Sequence, residues 1–127
     1  MDLQLTGKTA LVTGASVGIG RGIAKALAAE GVRVAVSARR VDKLKELSDE
    51  IVAAGGHMPV IIESDLYAED AAAKLSQAAV AGLGHVDILV NNAGGSRSFK
   101  DLHVSEEAWQ EAITLNFHRP RQVADAL

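Results

Sequence analysis

The 127-residue sequence has no cysteine, which excludes disulfides, thiolate catalysis and cysteine-ligated metal. Its four histidines, His57, His85, His103 and His118, fall at no HxxxH or HExxH spacing, so no metal site is expected. No apolar run approaches the ~20 residues that span a bilayer, and the opening MDLQLTGK lacks a basic segment followed by an apolar core. Positive charge is also short: the net charge is −3, against the clustered positive field that a nucleic acid or anionic membrane demands. Glu106 with Glu107 and Asp49 with Glu50 are adjacent on predicted helices and point in different directions, which argues against a paired-carboxylate hydrolase. The expectation is a soluble, unprocessed, cytoplasmic protein with neither nucleic-acid nor membrane partners. Its length is that of one domain, enough to hide roughly two thirds of the unfolded surface.

What is present is alternation. Residues 8–13, KTALVT, form a short apolar run ending at glycine, and Ile19, Ile23 and Leu27 then recur at helical spacing. Gly31 ends that helix, and VRVAVSA, residues 32–38, is a β-branched run before a helix capped by Asp42 and bearing Leu44, Leu47 and Ile51. Residues 59–63 (PVIIE) form a third strand, residues 68–83 an alanine-rich helix, and residues 86–90 (VDILV) a fourth strand. Ser105 precedes Glu106 and Glu107, a cap with acids in the first turn, and opens a helix toward residue 127. The order βαβαβαβα, with strands apolar on both faces, predicts a parallel sheet with right-handed crossovers and helices on each side.

Gly14, Gly18 and Gly20 therefore fall in the turn from the first strand into the first helix. A helix N-terminus presents unpaired N–H groups and a positive dipole end, and glycines let a pyrophosphate approach the backbone. A glycine-rich turn without ligand remains the alternative for spacing alone.

TGASVGIG, residues 13–20, resembles the TGxxxGxG signature of the short-chain dehydrogenase/reductase family, and NNAG, residues 91–94, resembles its second signature. The similarity runs from LTGKTALVTGAS to the LNF of the last helix. It implies a three-layer Rossmann fold whose parallel sheet begins in order 3-2-1-4, with a cofactor across the carboxyl ends of the first and fourth strands. It also implies that Gly14, Ser16, Val17, Gly18, Ile19 and Gly20 surround the pyrophosphate and that Asn92, Ala93 and Gly94 border the adenosine ribose. Asp65, in ESDL, would contact the adenine amino group and Leu66 would add a backbone contact; alternatively Asp65 caps the next helix.

Cofactor choice is set at the end of the second strand, where a carboxylate binds the ribose 2′-OH of NAD and repels the 2′-phosphate of NADP. The sequence there is SARR: Ala38 stands where NAD-preferring relatives carry Asp, and Arg39 and Arg40 follow. A guanidinium matches phosphate geometry, for roughly ten- to a hundred-fold preference. The expected cofactor is NADP(H) rather than NAD(H), with solvated surface arginines as the alternative. Val17 stands where many NADP-preferring relatives have a basic residue.

Trp109, Ile113 and Phe117 recur every four residues and are expected to face a packed surface. Pro120 lies four residues beyond Asn116 and has no N–H, so the Asn116 carbonyl loses its helical donor. The matching asparagine in the family holds a water in the catalytic proton relay; a kinked structural helix is the alternative. The family also needs a serine, a tyrosine and a lysine four residues after it. The single tyrosine, Tyr67, is followed four later by Ala71 and cannot serve.

Residues 1–127 are accordingly expected to be the N-terminal dinucleotide-binding part of a single Rossmann domain, truncated after about four strands and the following helix. Such a chain would be inactive alone, and its parent would be an NADP(H)-dependent reductase or alcohol dehydrogenase. Expected partners are a small-molecule or 3-oxoacyl-thioester substrate and further copies in a dimer or tetramer. A non-catalytic dinucleotide-binding module or an assembly fragment is the alternative. The polar segment 95–104 is where substrate loops sit in α/β enzymes.

Overall fold

The structure is a computed structural model that describes residues 2–95 and 103–127. Most of the segment expected to carry substrate contacts, 96–102, lies outside them. Four strands, β1 (Thr9–Thr13), β2 (Arg33–Ala38), β3 (Val60–Glu63) and β4 (Ile88–Val90), alternate with helices α1 (Gly18–Ala29), α2 (Val41–Ala53) and α3 (Ala71–Leu83). After β4 come α4 (Glu106–Ile113), a π-helical turn (Thr114–His118) and α5 (Arg119–Ala126). All strand pairs are parallel, in the order β3-β2-β1-β4, as the alternation and the family resemblance imply.

The period-two rule divides the core. Ala10, Val12, Val34 and Val36 point to the face covered by α1 and α2, where Ala24, Leu44 and Leu47 meet them. Leu11 and Ala35 point to the other face and pack with Leu75, Ala79 and Val123 from α3 and α5. β1 is buried throughout and β2 over most of its length, on both faces, which is why the two read as continuous apolar runs. β4 is half-exposed along its length and forms one sheet edge.

Several boundaries differ from the sequence expectation for identifiable reasons. Asp42 does not cap α2: the cap position is Arg40, with no side-chain bond, and Asp42 lies inside the first turn, where its charge suits the helix dipole. Helix α3 begins at Ala71 rather than residue 68, because the Asp65 side chain accepts from the Tyr67 N–H (3.0 Å) and folds the preceding residues into turns. β4 is shorter than residues 86–90 because Asp87 turns its side chain into the ladder, accepting from the Thr9 N–H (3.0 Å) and hydroxyl (3.2 Å). The Ser105 cap forms as expected, its hydroxyl accepting from the Ala108 N–H at 3.2 Å.

The terminal helix corrects the expectation about its apolar stripe. Trp109, Ile113 and Phe117 are exposed, at 55%, 39% and 61%. The inward line is instead Leu115, Arg119 and Val123, also spaced by four, and α5 packs along α3. An arginine in the middle of that line hides it from a search for apolar periodicity.

Candidate cofactor site

An open cleft of about 1340 Å³ lies at the carboxyl ends of the strands, where an open α/β sheet binds ligands. Its walls come from the segments after β1 (Gly14, Ser16, Val17), at the end of β2 (Arg39), after β3 (Asp65, Leu66) and after β4 (Asn92, Ala93, Gly94). Residues far apart in sequence thus converge because the strands are parallel and each ends on the same side.

The glycine turn is built by close approach. Gly14 has φ +65°, and a Cβ there would lie 2.9 Å from the Ala93 Cα. A Cβ on Gly20 would fall 2.4 Å from both the Asn92 Nδ2 and the Gly14 carbonyl oxygen, so this glycine is required by packing of protein on protein. Gly18 is different: φ is +64° and nothing lies within 4 Å of its Cβ position, which leaves open space at the start of α1. No side chain caps that helix; Val17 occupies the cap position, and both Val17 and Ile19 are exposed. The first-turn N–H groups of α1 therefore lack a side-chain acceptor. Val17 borders the cleft, whereas Gly18, Ile19 and Gly20 are not among its lining residues.

Thr13, which motif reading passed over, ties the two signatures together. Its hydroxyl accepts from the Asn92 N–H (3.1 Å) and the Ala93 N–H (3.0 Å) and donates to the Val90 carbonyl (3.3 Å). The Asn92 amide donates to the Gly14 carbonyl at 3.0 Å. Where the β1–β4 ladder ends, side chains continue it. A threonine directly before the first motif glycine was the available signal.

The two arginines after β2 separate. Arg39 is exposed, borders the cleft, and has no hydrogen-bond or ion-pair partner among the described residues. Arg40 lies outside the lining and pairs with Asp42 at 3.3 Å on the surface, both side chains about two-thirds exposed. Arg21, also missed from sequence, reaches across α1 to Glu50 on α2 (2.8 Å) and to the Ser16 carbonyl (3.5 Å), bracing the glycine turn from behind. Hydrogen bonding from Arg21 and then Lys25 holds the Glu50 carboxyl below the usual range. Asp65 is exposed at the cleft rim, in its turn with Tyr67. Glu106 and Glu107, expected to diverge, both border the cleft because the first turn of α4 opens onto it.

Asn116 is exposed and is not a lining residue, but it bonds to Gly95, which is. Its Oδ1 accepts from the Gly95 N–H (2.9 Å), and its Nδ2 donates to the carbonyls of Gly95 (2.7 Å) and Ala112 (2.9 Å). Both amide hydrogens are committed, so what this residue can still offer is its main-chain carbonyl. Pro120 supplies no N–H to that carbonyl, and the chain passes the proline through the π turn, closed by the Arg119 N–H on the Thr114 carbonyl. The Pro120 carbonyl accepts from the Asn91 side chain at 3.1 Å. Among the described residues no helix is long and apolar enough to cross a membrane, and no group of three or more His, Asp or Glu side chains could hold a metal.

The family model described as short chain dehydrogenase matches residues 8–127. A short chain dehydrogenase of Pseudocercospora fijiensis is 53% identical over 127 residues, 98% of this chain and 40% of that protein. The crystal structure of a metagenomic short-chain oxidoreductase in complex with NADP superposes with a TM-score of 0.88 at 40% identity, covering 96% of this chain and 55% of the other. That of 7α-hydroxysteroid dehydrogenase complexed with NADH and 7-oxo glycochenodeoxycholic acid gives 0.91 at 35% identity, over 98% and 48%. The chain spans about half or less of the length of these relatives. Sequence, sheet order and the glycine turn agree with the family match: the chain belongs to the short chain dehydrogenase family.

Proposed function

We propose that residues 1–127 are the N-terminal, dinucleotide-binding part of a single Rossmann domain in an NADP(H)-dependent oxidoreductase of a reducing, cytoplasmic compartment. The observation that carries the cofactor choice is Arg39: a guanidinium without a partner among the described residues, on the cleft wall beside Ala38, where a carboxylate would repel a 2′-phosphate. Relatives whose structures hold NADP and NADH both support a nicotinamide dinucleotide. Gly14, Ser16, Val17, Gly18 and Ile19 receive the pyrophosphate on the uncapped first turn of α1, where the space over Gly18 leaves room for it, and Gly20 serves the site by letting that turn pack against Asn92. Asn92, Ala93 and Gly94 border the ribose, and Asp65 with Leu66 reads the adenine edge. Arg40 contributes less than Arg39 because Asp42 already engages it.

Bound NADP(H) would supply the hydride that interconverts a carbonyl and an alcohol. Asn116, through its main-chain carbonyl, to which Pro120 offers no N–H, holds a water for proton relay, while its side chain ties this turn to Gly95 and Ala112 by three hydrogen bonds. The serine, tyrosine and lysine that the family uses have no counterpart in this stretch; Tyr67 borders the adenine side of the cleft with Ala71 four residues on. These residues alone are therefore inactive. The substrate we favour, by family frequency, is a 3-oxoacyl thioester. The exposed Trp109, Ile113 and Phe117 support self-association into a dimer or tetramer, and a purely binding or assembly role is the second reading. Replacing Arg39 by Ala in the intact protein is expected to weaken NADPH about tenfold or more while leaving NADH within about twofold. Equal effects on both would remove the 2′-phosphate contact.

A further inference from the structure

Arg119 is the only charged side chain among the described residues that is buried, at 8% exposure. A buried cation is costly unless hydrogen bonds replace its water. Here its Nε donates to the Leu66 carbonyl at 2.7 Å, one terminal nitrogen to the Tyr67 carbonyl at 3.3 Å, and the other to the Gln122 side-chain oxygen at 2.9 Å. Its own N–H closes the π turn on Thr114. The segment it grips follows β3 and precedes α3, so neither the sheet ladder nor a helix fixes the Leu66 and Tyr67 carbonyls. Asp65, immediately before them, spends one carboxylate oxygen on the Tyr67 N–H. The whole Asp65–Tyr67 turn borders the cleft, and Arg119 joins it to the helix that carries Asn116.

We infer that Arg119 is a positioning residue for recognition of the adenine ring: it sets the depth at which Asp65 and Leu66 meet the base edge. The inference rests on the cofactor assignment above. The test compares NADPH with the reduced hypoxanthine analogue, in which a ring carbonyl replaces the adenine amino group, by fluorescence titration of the intact protein. The wild type prefers NADPH. Arg119→Gln lowers NADPH affinity about tenfold or more and the analogue less, so that the ratio of the two dissociation constants falls toward one. Arg119→Lys, whose ammonium reaches one carbonyl at a time, restores part of the ratio.

A loss of equal factor for both cofactors, or no loss, overturns the inference, since a merely structural arginine has no reason to discriminate between bases. If Arg119→Gln does not fold, Gln122→Ala decides: it removes one support of the guanidinium and lowers the ratio by a smaller factor, and an unchanged ratio overturns the inference. A wild type that binds neither dinucleotide overturns the cofactor assignment as well; one that binds both equally overturns the adenine role of Asp65 and with it that of Arg119.

Discussion

Two glycines in one helix should respond to alanine with opposite signs. Gly20 is buried, and a Cβ there would meet the Asn92 amide nitrogen and the Gly14 carbonyl oxygen, both at 2.4 Å, the two atoms whose hydrogen bond joins the family's two signatures. Gly22, two residues on, is exposed with nothing within 4 Å of its Cβ position. Alanine gains about 1 kcal/mol of helix propensity at either site. At Gly20 that gain is set against overpacking of about 1–3 kcal/mol and the loss of the Asn92–Gly14 bond, about 1 kcal/mol more with both groups left enclosed. The net expectation is about 1–3 kcal/mol of destabilisation for Gly20→Ala and about 0.5–1 kcal/mol of stabilisation for Gly22→Ala. Urea unfolding of the intact protein measures both, through midpoints at unchanged slope. Gly20→Ala should also weaken dinucleotide binding, because Asn92 must move. A Gly20→Ala protein as stable as Gly22→Ala would refute the close-packed account of the turn.

Three further outcomes follow from the same geometry. Ser105→Ala removes the α4 cap and should cost about 1 kcal/mol in urea melts, with Ser105→Gly costing less. Asp87 is held below its usual carboxylate range, first by the Thr9 N–H and then by His85. A depressed folded-state value contributes stability that is present above the unfolded value and lost as pH falls through the folded one, so the wild type should lose stability on acidification in that window and Asp87→Asn should lose less, as read by melts over a pH series. The proposed self-association through Trp109 and Phe117 predicts that replacing both by Glu lowers the sedimentation coefficient of the intact protein without lowering its stability as a monomer, since both side chains are exposed within one chain; an unchanged coefficient would contradict it.

The β1 run, the glycine turn and the alternation were legible because each expresses one local rule, and together they implied a parallel sheet covered on both faces; the order β3-β2-β1-β4 came from the family resemblance alone. Boundaries shifted wherever a side chain competed with the backbone: Asp65 with the start of α3, Asp87 with the end of the β1–β4 ladder. The terminal helix was the poorest fit. The periodicity of Trp109, Ile113 and Phe117 points to an apolar stripe, whereas the packed line passes through a buried arginine whose partners are carbonyls 52 and 53 residues away. No local pattern announces such a contact. Asn116 was legible through Pro120, but its grip on Gly95 was not, because that depends on the approach of two segments. The contrast between Arg39 and Arg40 likewise came only from geometry: identical neighbours in sequence, one on the cleft and one paired to Asp42.

The central claim is that this cleft receives a nicotinamide dinucleotide by its 2′-phosphate end. Parallel titrations of the intact protein with NADPH and NADH, followed by nicotinamide fluorescence at fixed ionic strength, test it most directly. NADPH should bind roughly ten- to a hundred-fold tighter. NADH binding as tightly as NADPH, or no response to either, would contradict it.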